Sequence, residues 1–102
     1  IPLGATHILV HDSVTFIRAR AFEHPNIVEI ICHEKVEKID RQAFYGCPSL
    51  KRVIMAGVTI IEEGAFYNCG ALTDVECGLL EIIGEFAFSD CISLRSINLP
   101  SA

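Results

Sequence analysis

The segment AFYGCPSL, residues 43–50, recurs as AFYNCGAL at residues 65–72 and as AFSDCISL at residues 87–94. All three share the pattern Ala-Phe-x-x-Cys-x-x-Leu, and each begins 22 residues after the previous one. A spacing this constant indicates an internal repeat rather than a single irregular core. The 22-residue period therefore indicates the type of fold, and the other positions are assigned from it.

Most apolar positions of the chain follow the same 22-residue register. The phenylalanines, each preceded by Ala, are Phe22, Phe44, Phe66 and Phe88. With no insertion or deletion between units, the residues nine positions later are expected in the core; these are Ile31, Val53, Val75 and Ile97. A unit of 22 residues is too short to bury its own apolar face, whereas stacked units cover one another. The sequence predicts one solenoid domain over residues 1–102, of about four and a half units.

Each unit contains one segment with strand periodicity. LKRVIM (50–55), LTDVEC (72–77) and LRSINL (94–99) end in two apolar residues that alternate with one exposed residue. Such alternation is typical of a strand with one buried face. The Ala-Phe-x-x-Cys segment is expected to turn the chain on the opposite side, as a one-turn helix or a 3₁₀ turn. Each coil should therefore contribute one short parallel strand.

Three long segments carry a family resemblance: VEKIDRQAFYGCPSLKRVIM (36–55), VTIIEEGAFYNCGALTDVEC (58–77) and LEIIGEFAFSDCISLRSINLP (80–100). They resemble the BspA-type leucine-rich repeat, whose pattern is roughly I-x-x-x-AF-x-x-C-x-x-L-x-x-I-x-LP-x-x-V. The resemblance implies an α/β repeat: a right-handed leucine-rich-repeat solenoid with a parallel concave sheet and short helical or 3₁₀ turns on the convex side. It also implies binding of other proteins, often at cell surfaces. Pro25 stands where this pattern has Cys, so the first full unit departs from it.

Composition and charge narrow the classes of function. The net charge is −5, and residues 53–102 carry one Arg against seven acidic residues, so no basic stripe is expected to hold a nucleic acid. The apolar runs are too short and too interrupted for a membrane span. The chain starts without Met, and we expect it to be a fragment with flanking repeats in a longer protein.

The five cysteines form an odd set without a Cys-x-x-Cys pair, which argues against a zinc ribbon or a thioredoxin-like site. Cys47, Cys69 and Cys91 share one column and should stack about 4.8 Å apart along the core. Unpaired Cys is among the most buried residue types, so we expect buried free thiols. No metal site is expected.

His11 and His33 fall in a column filled elsewhere by Met55, Cys77 and Leu99, which should point into the core. We expect both histidines to be neutral and hydrogen-bonded to backbone or water. No Cys-His pair or phosphate loop is evident, and carboxylates such as Glu62 and Glu63 lie in connections that solvent reaches. The sequence predicts neither enzymatic activity nor a cofactor.

The remaining candidate site is the exposed face of the predicted sheet. Its two outward columns are expected to be Ile8, Ile30, Arg52, Asp74 and Ser96, and Val10, Cys32, Ile54, Glu76 and Asn98. The register also predicts Glu29 beside Lys51 and Arg52 beside Asp74. The apolar members near the N-terminus would form a contiguous patch, which either binds a partner or is covered by flanking sequence.

The leading hypothesis is a non-enzymatic protein-interaction module that binds an unidentified protein through its concave sheet. The alternative is an architectural repeat spacer of a larger cell-surface or adhesin-like protein. The compartment stays open, because unpaired thiols favour a reducing interior and the family resemblance favours the cell surface.

Overall fold

The computed structural model describes residues 6–22, 26–78 and 80–98. Within these residues the chain forms nine short strands. They are β1 (His7–Leu9), β2 (Phe16–Ile17), β3 (Glu29–Cys32), β4 (Lys38–Ile39), β5 (Arg52–Met55), β6 (Ile60–Ile61), β7 (Asp74–Cys77), β8 (Ile82–Ile83) and β9 (Ser96–Asn98).

The strands form two parallel sheets, and consecutive strands of the chain belong to alternate sheets. One has five strands in the order β1-β3-β5-β7-β9, and the other has four in the order β2-β4-β6-β8. Each of the strands β1 to β7 pairs with the strand two places further along the chain, one coil later. This is a parallel solenoid, and the prediction of a repeat solenoid with a parallel sheet is confirmed.

A column of stacked aromatic rings runs through the coil. The ring centroids of Phe22 and Phe44 lie 5.0 Å apart, those of Phe44 and Phe66 4.9 Å, and those of Phe66 and Phe88 5.3 Å. Phe44 and Phe66 are fully buried, enclosed by the inward side chains of both sheets. The predicted 22-residue register of phenylalanines is therefore confirmed.

The turns that carry the Phe column are not helical, so the expected helical or 3₁₀ convex side is wrong for the residues that the structure describes. Residues 41–46, 63–68 and 85–90 form successive turns. In the first of them, the amides of Ala43 and Tyr45 donate to carbonyls three residues back, whereas Phe44 donates to Ala65 of the next coil at 2.8 Å. Because alternate N–H groups point to the neighbouring coil, the continuous local hydrogen bonding of a helix cannot form.

Two columns in these turns adopt left-handed backbone whichever residue occupies them. The first column contains Arg20, Gln42, Gly64 and Phe86, with φ between 55° and 62°. The second contains Gly46, Asn68 and Asp90, with φ between 59° and 64°. Arg, Gln and Phe rarely adopt this conformation. The repeating hydrogen bonds between coils therefore outweigh the local preference of these residues.

The five-stranded sheet contains a one-residue offset that contradicts the uninterrupted register. Ile8 pairs with Ile30, and Val53 with Val75, at the expected spacing of 22 residues. Between β3 and β5, however, Ile30 pairs with Val53, which is 23 residues later. Ile31 therefore faces outward opposite Ile54 instead of entering the core.

Two compensating length differences explain this offset. Ile27 is fully buried and lies five residues after Phe22, whereas its counterpart Leu50 lies six after Phe44. The connection from Cys32 to the buried Val36 is in turn one residue longer than the connection from Met55 to Val58. One segment is shorter and the next is longer, so the phenylalanine period stays at 22 while the strand between them shifts.

Candidate functional site

The outward side of the five-stranded sheet, here called the outer sheet face, consists of two columns. Strand register assigns them as His7, Glu29, Arg52, Asp74 and Ser96, and as Leu9, Ile31, Ile54, Glu76 and Asn98. Neighbouring members of a column stand on adjacent strands of a parallel sheet, about 4.8 Å apart. The face is therefore an extended surface built from every second residue of each strand.

Six of the ten predicted site residues have register positions on this face: Arg52, Ile54, Asp74, Glu76, Ser96 and Asn98. Four do not: Ile8, Val10, Ile30 and Cys32 belong to the inward columns. Ile30 is 0% exposed, Cys32 3% and Val10 8%, while Ile8 is half-buried against the core. Their predicted outward placement is wrong, because side chains alternate along a strand and a shift of one residue reverses every one of them.

Sequence reasoning missed His7, Leu9, Glu29 and Ile31 on the outer sheet face. Leu9 is 77% exposed. One signal in the sequence could have revealed the error: the uninterrupted register places His11 and His33, two polar residues, in a core column. A shift of one residue replaces them with the apolar Val10 and Cys32, as the structure has it.

An arginine joins three strands across this face. The Nη1 atom of Arg52 lies 3.4 Å from Oε2 of Glu29, and its Nη2 atom lies 3.5 Å from Oε2 of Glu76. The predicted pairing of Arg52 with Asp74 is confirmed by the strand register, but Glu29 pairs with Arg52 and not with Lys51. The Arg52 side chain is about half exposed, so these ion pairs orient the side chains more than they stabilise the fold.

An apolar row runs beside this ion-pair network. Leu9, Ile31 and Ile54 are consecutive partners in the register, and Glu76 follows Ile54 on the next strand. Leu9 is exposed, and both isoleucines are partly exposed. The outer sheet face thus places three adjacent apolar side chains next to charges of both signs.

His11 and His33 lie in the turns between the sheets and not in the core. His11 is exposed, and His33 is partly exposed. The Nδ1 atom of His33 accepts a hydrogen bond from the Lys35 amide at 3.1 Å, and its Nε2 donates to the His11 carbonyl at 2.9 Å. The prediction of backbone hydrogen bonds is confirmed for both residues, since His11 accepts from the Ser13 amide at 3.0 Å. Both ring nitrogens of His33 are occupied by these contacts.

The cysteine column forms a ladder of thiols that donate to backbone. The Sγ atoms of Cys47, Cys69 and Cys91 lie 2.9, 3.0 and 3.0 Å from the carbonyl oxygens of Phe22, Phe44 and Phe66. Cys47 and Cys69 are buried, as predicted, and Cys91 is half-buried. Each thiol thereby adds a hydrogen bond to a carbonyl of the preceding coil, which an apolar residue of similar size could not do.

The environments of these thiols disfavour the thiolate. A hydrogen bond with the Cys47 thiol, and then burial, raise the pKa of Cys69 to about 12 against an opposing hydrogen bond with Cys91. Burial raises the pKa of Cys32 to about 12 and that of Cys77 to about 11. A nucleophilic cysteine needs a lowered pKa and access to solvent. These cysteines are therefore core residues.

Within residues 6–22, 26–78 and 80–98, no three His, Cys, Asp or Glu side chains come together in a group able to hold a metal ion. Over the same part of the chain there is no helix of the length and apolarity that a membrane span requires.

Successive parallel coils that stack equivalent apolar residues on one another define a solenoid repeat protein. The sequence also matches the family described as the BspA type leucine rich repeat region, in six copies over residues 4–102. The chain belongs to the BspA-type leucine-rich-repeat family, and the resemblance of its repeats is thereby confirmed. No curated protein matches the chain. No solved structure matches it either.

Proposed function

We propose that this chain is a non-enzymatic protein-interaction module and that the outer sheet face binds the protein partner. The observation that carries the proposal is the exposed apolar row of Leu9, Ile31 and Ile54 beside the Arg52 ion pairs. Contiguous apolar side chains on a surface, bordered by charged ones, are typical of partner sites. Leucine-rich repeats as a family also suggest an interaction or repeat module.

The shape of the face favours a protein over a small molecule. Its columns extend strand after strand along the solenoid, whereas small ligands are usually held in concave pockets. The groups that could have supplied chemistry are engaged elsewhere: the buried thiols have raised pKa values, and His33 uses both nitrogens on backbone. These observations support binding rather than catalysis.

The two kinds of side chain have different roles in the proposed contact. Ile31 and Ile54 are the apolar anchors, because burying each against a partner removes apolar area from water. Arg52, held between Glu29 and Glu76, presents a guanidinium in a defined orientation. Such charges contribute mainly to orientation and to partner choice.

The test is a triple substitution on the outer sheet face: Ile31→Ala, Arg52→Ala and Ile54→Ala. A partner is first captured by the unaltered chain and its affinity is measured with purified components. We expect the triple variant to weaken that affinity by at least about 100-fold, since a few anchor residues usually carry most of the binding energy. Circular dichroism checks that the variant stays folded.

The matched control carries three similar changes on the outward side of the four-stranded sheet: Phe16→Ala, Lys38→Ala and Ile60→Ala. These residues are consecutive partners in the register of that sheet. The control should bind like the unaltered chain. Equal loss in both variants, or unchanged affinity in the outer-face variant, contradicts the proposed surface. If the unaltered chain captures no partner, the architectural spacer is favoured instead.

A further inference from the structure

A notch opens on the turn side of the solenoid, away from the outer sheet face. Its volume is about 300 Å³, and it is lined by Gln42, Tyr45, Glu63, Gly64, Tyr67 and Phe86. Positions 42, 64 and 86 belong to one left-handed column of the turns. Since Gly64 has no side chain, a gap remains between Gln42 on one coil and Phe86 two coils later.

Aromatic side chains form much of the notch. Tyr45 and Tyr67 are stacked with their centroids 5.4 Å apart and their planes 7° from parallel. Phe86 is 57% exposed and stands in left-handed backbone at φ 59°. A large aromatic ring that stays more than half exposed on such backbone is unusual. It provides a ring wall for the notch.

The tyrosine stack already holds one cation. The guanidinium carbon of Arg20 lies 5.8 Å from the centroid of the Tyr45 ring, within the range of a cation–π contact. The attraction arises because the face of an aromatic ring carries negative charge density. For the same reason, the ring faces inside the notch, further along the stack, attract a cation.

One carboxylate lines the notch and a second lies beside Tyr67. Glu63 is exposed at the rim of the notch, and within the described residues no cationic side chain lies at ion-pair distance from its carboxylate. Asp90 stands beside Tyr67, and its charge and hydrogen bond raise the pKa of that phenol. The half of the chain that contains most of the notch is also the acidic half. These charges attract a positive ligand.

We propose that the notch binds an alkylammonium group, with Tyr67 and Phe86 as ring walls and Glu63 as counter-charge. The volume lies at the lower end of the range for ligand sites, which suits one small cation or one side chain rather than a larger molecule. A lysine or methylated lysine of a peptide and a free quaternary ammonium compound share this chemistry. The site lies outside the outer sheet face, so it stands or falls independently of the proposed function.

The first experiment titrates the ¹⁵N-labelled chain with tetramethylammonium chloride. Sodium chloride at equal ionic strength and tert-butyl alcohol, a neutral molecule of similar shape, serve as comparisons. We expect saturable shifts of the Gly64, Tyr67 and Phe86 amides with tetramethylammonium alone. Equal shifts with tert-butyl alcohol, or shifts scattered over the chain, overturn the proposal.

Substitutions test the two kinds of contact separately. Phe86→Leu removes a ring wall and should weaken tetramethylammonium binding about two- to fivefold, the range for exposed cation–π contacts. Glu63→Gln removes the counter-charge and should weaken it by up to about fivefold, the range for exposed ion pairs. The matched controls are Phe16→Leu, another exposed phenylalanine, and Glu81→Gln, another exposed glutamate. Both lie outside the notch and should leave binding unchanged. Unchanged affinity in both notch variants, or equal loss in the controls, overturns the assignment.

A last comparison identifies the source of the cation. Peptides containing trimethyllysine or unmodified lysine are titrated beside free choline. Binding of a peptide at least tenfold tighter than choline indicates a protein side chain as ligand, whereas equal affinity indicates a free small cation. If neither peptide nor choline shifts the Gly64 amide, the notch is not an alkylammonium site.

Discussion

Single residues in this solenoid are constrained by the coil above or below them more than by their sequence neighbours. Cys69 illustrates this: its Sγ donates to the Phe44 carbonyl of the preceding coil, and its thiol also contacts Cys47 and Cys91. The sequence pattern predicted a buried column. The role of the thiol as a donor depends on the distances between coils, and the sequence spacing of the cysteines does not determine those distances.

The raised pKa values of the buried thiols predict a loss of stability in alkali. Unfolded thiols titrate near pH 9, while burial raises the pKa of Cys32 to about 12. Above pH 9 the unfolded chain therefore binds fewer protons than the folded one, and the free energy of unfolding falls as pH rises towards 12. Each such thiol contributes a slope of about 1.4 kcal/mol per pH unit.

Urea unfolding under reducing conditions at pH 8, 9, 10 and 10.5 measures this slope. The Cys32→Ala variant isolates one thiol, because the titration of lysines and tyrosines is common to both proteins. We expect the variant to be less stable at pH 8 but to lose stability less steeply above pH 9. Parallel pH profiles for the two proteins would show that Cys32 titrates alike in the folded and unfolded chains.

At the scale of the element, turns and strands are fitted closely to the next coil. The turn after β5 shows how little room there is. A Cβ atom added to Gly57 would overlap the carbonyl oxygen of Glu34 on the preceding coil. Gly70 has no neighbouring atom within 4 Å of an added Cβ. Two glycines of similar appearance in the sequence therefore have different structural roles.

Gly57→Ala should destabilise the chain by about 1–3 kcal/mol, since the added methyl forces the backbones of two coils apart. Gly70→Ala is the matched control and should be neutral or stabilising by about 0.4–1 kcal/mol, because it restricts the unfolded chain without a clash. Chemical denaturation of both variants gives the comparison. Equal stability of the two would contradict the close approach at Gly57.

At the scale of the whole molecule, the solenoid is a linear stack in which the position along the axis determines how many neighbours a residue has. Phe44 is fully buried between the rings of Phe22 and Phe66. Phe88 stacks on Phe66 and is only partly buried. In a repeat protein, stability is approximately a sum of terms within coils and between adjacent coils.

Phe44→Ala should therefore cost about 3–5 kcal/mol, the range for a buried aromatic residue. Phe88→Ala should cost clearly less, because it removes one stacking contact from a partly exposed site. Thermal and urea unfolding of the two variants measure the difference. Similar losses of stability in the two variants would indicate that the cost of removing a phenylalanine ring does not depend on its position along the stack.

The part of the fold that follows the phenylalanine period could be predicted from sequence: the solenoid, the parallel sheet and the Phe22-to-Phe88 stack. The turn conformation could not, because the hydrogen bonds that exclude a helix run to the next coil. Six of the ten register positions of the outer sheet face were predicted, namely Arg52, Ile54 and their partners on β7 and β9. The four on β1 and β3 were assigned to the wrong side of the sheet.

The sequence by itself determined the coil, since ladders of identical residue types at a fixed spacing bury their apolar faces only when coils are stacked. Which residues of β1 and β3 face outward became clear from the tertiary structure, since the sequence carries only the indirect sign of His11 and His33 in a core column. A shorter segment before β3 and a longer one after it leave the distance from Phe22 to Phe44 at 22 residues. Because side chains alternate along a strand, that concealed shift of one residue exchanges Ile30 for Ile31 on the outer sheet face.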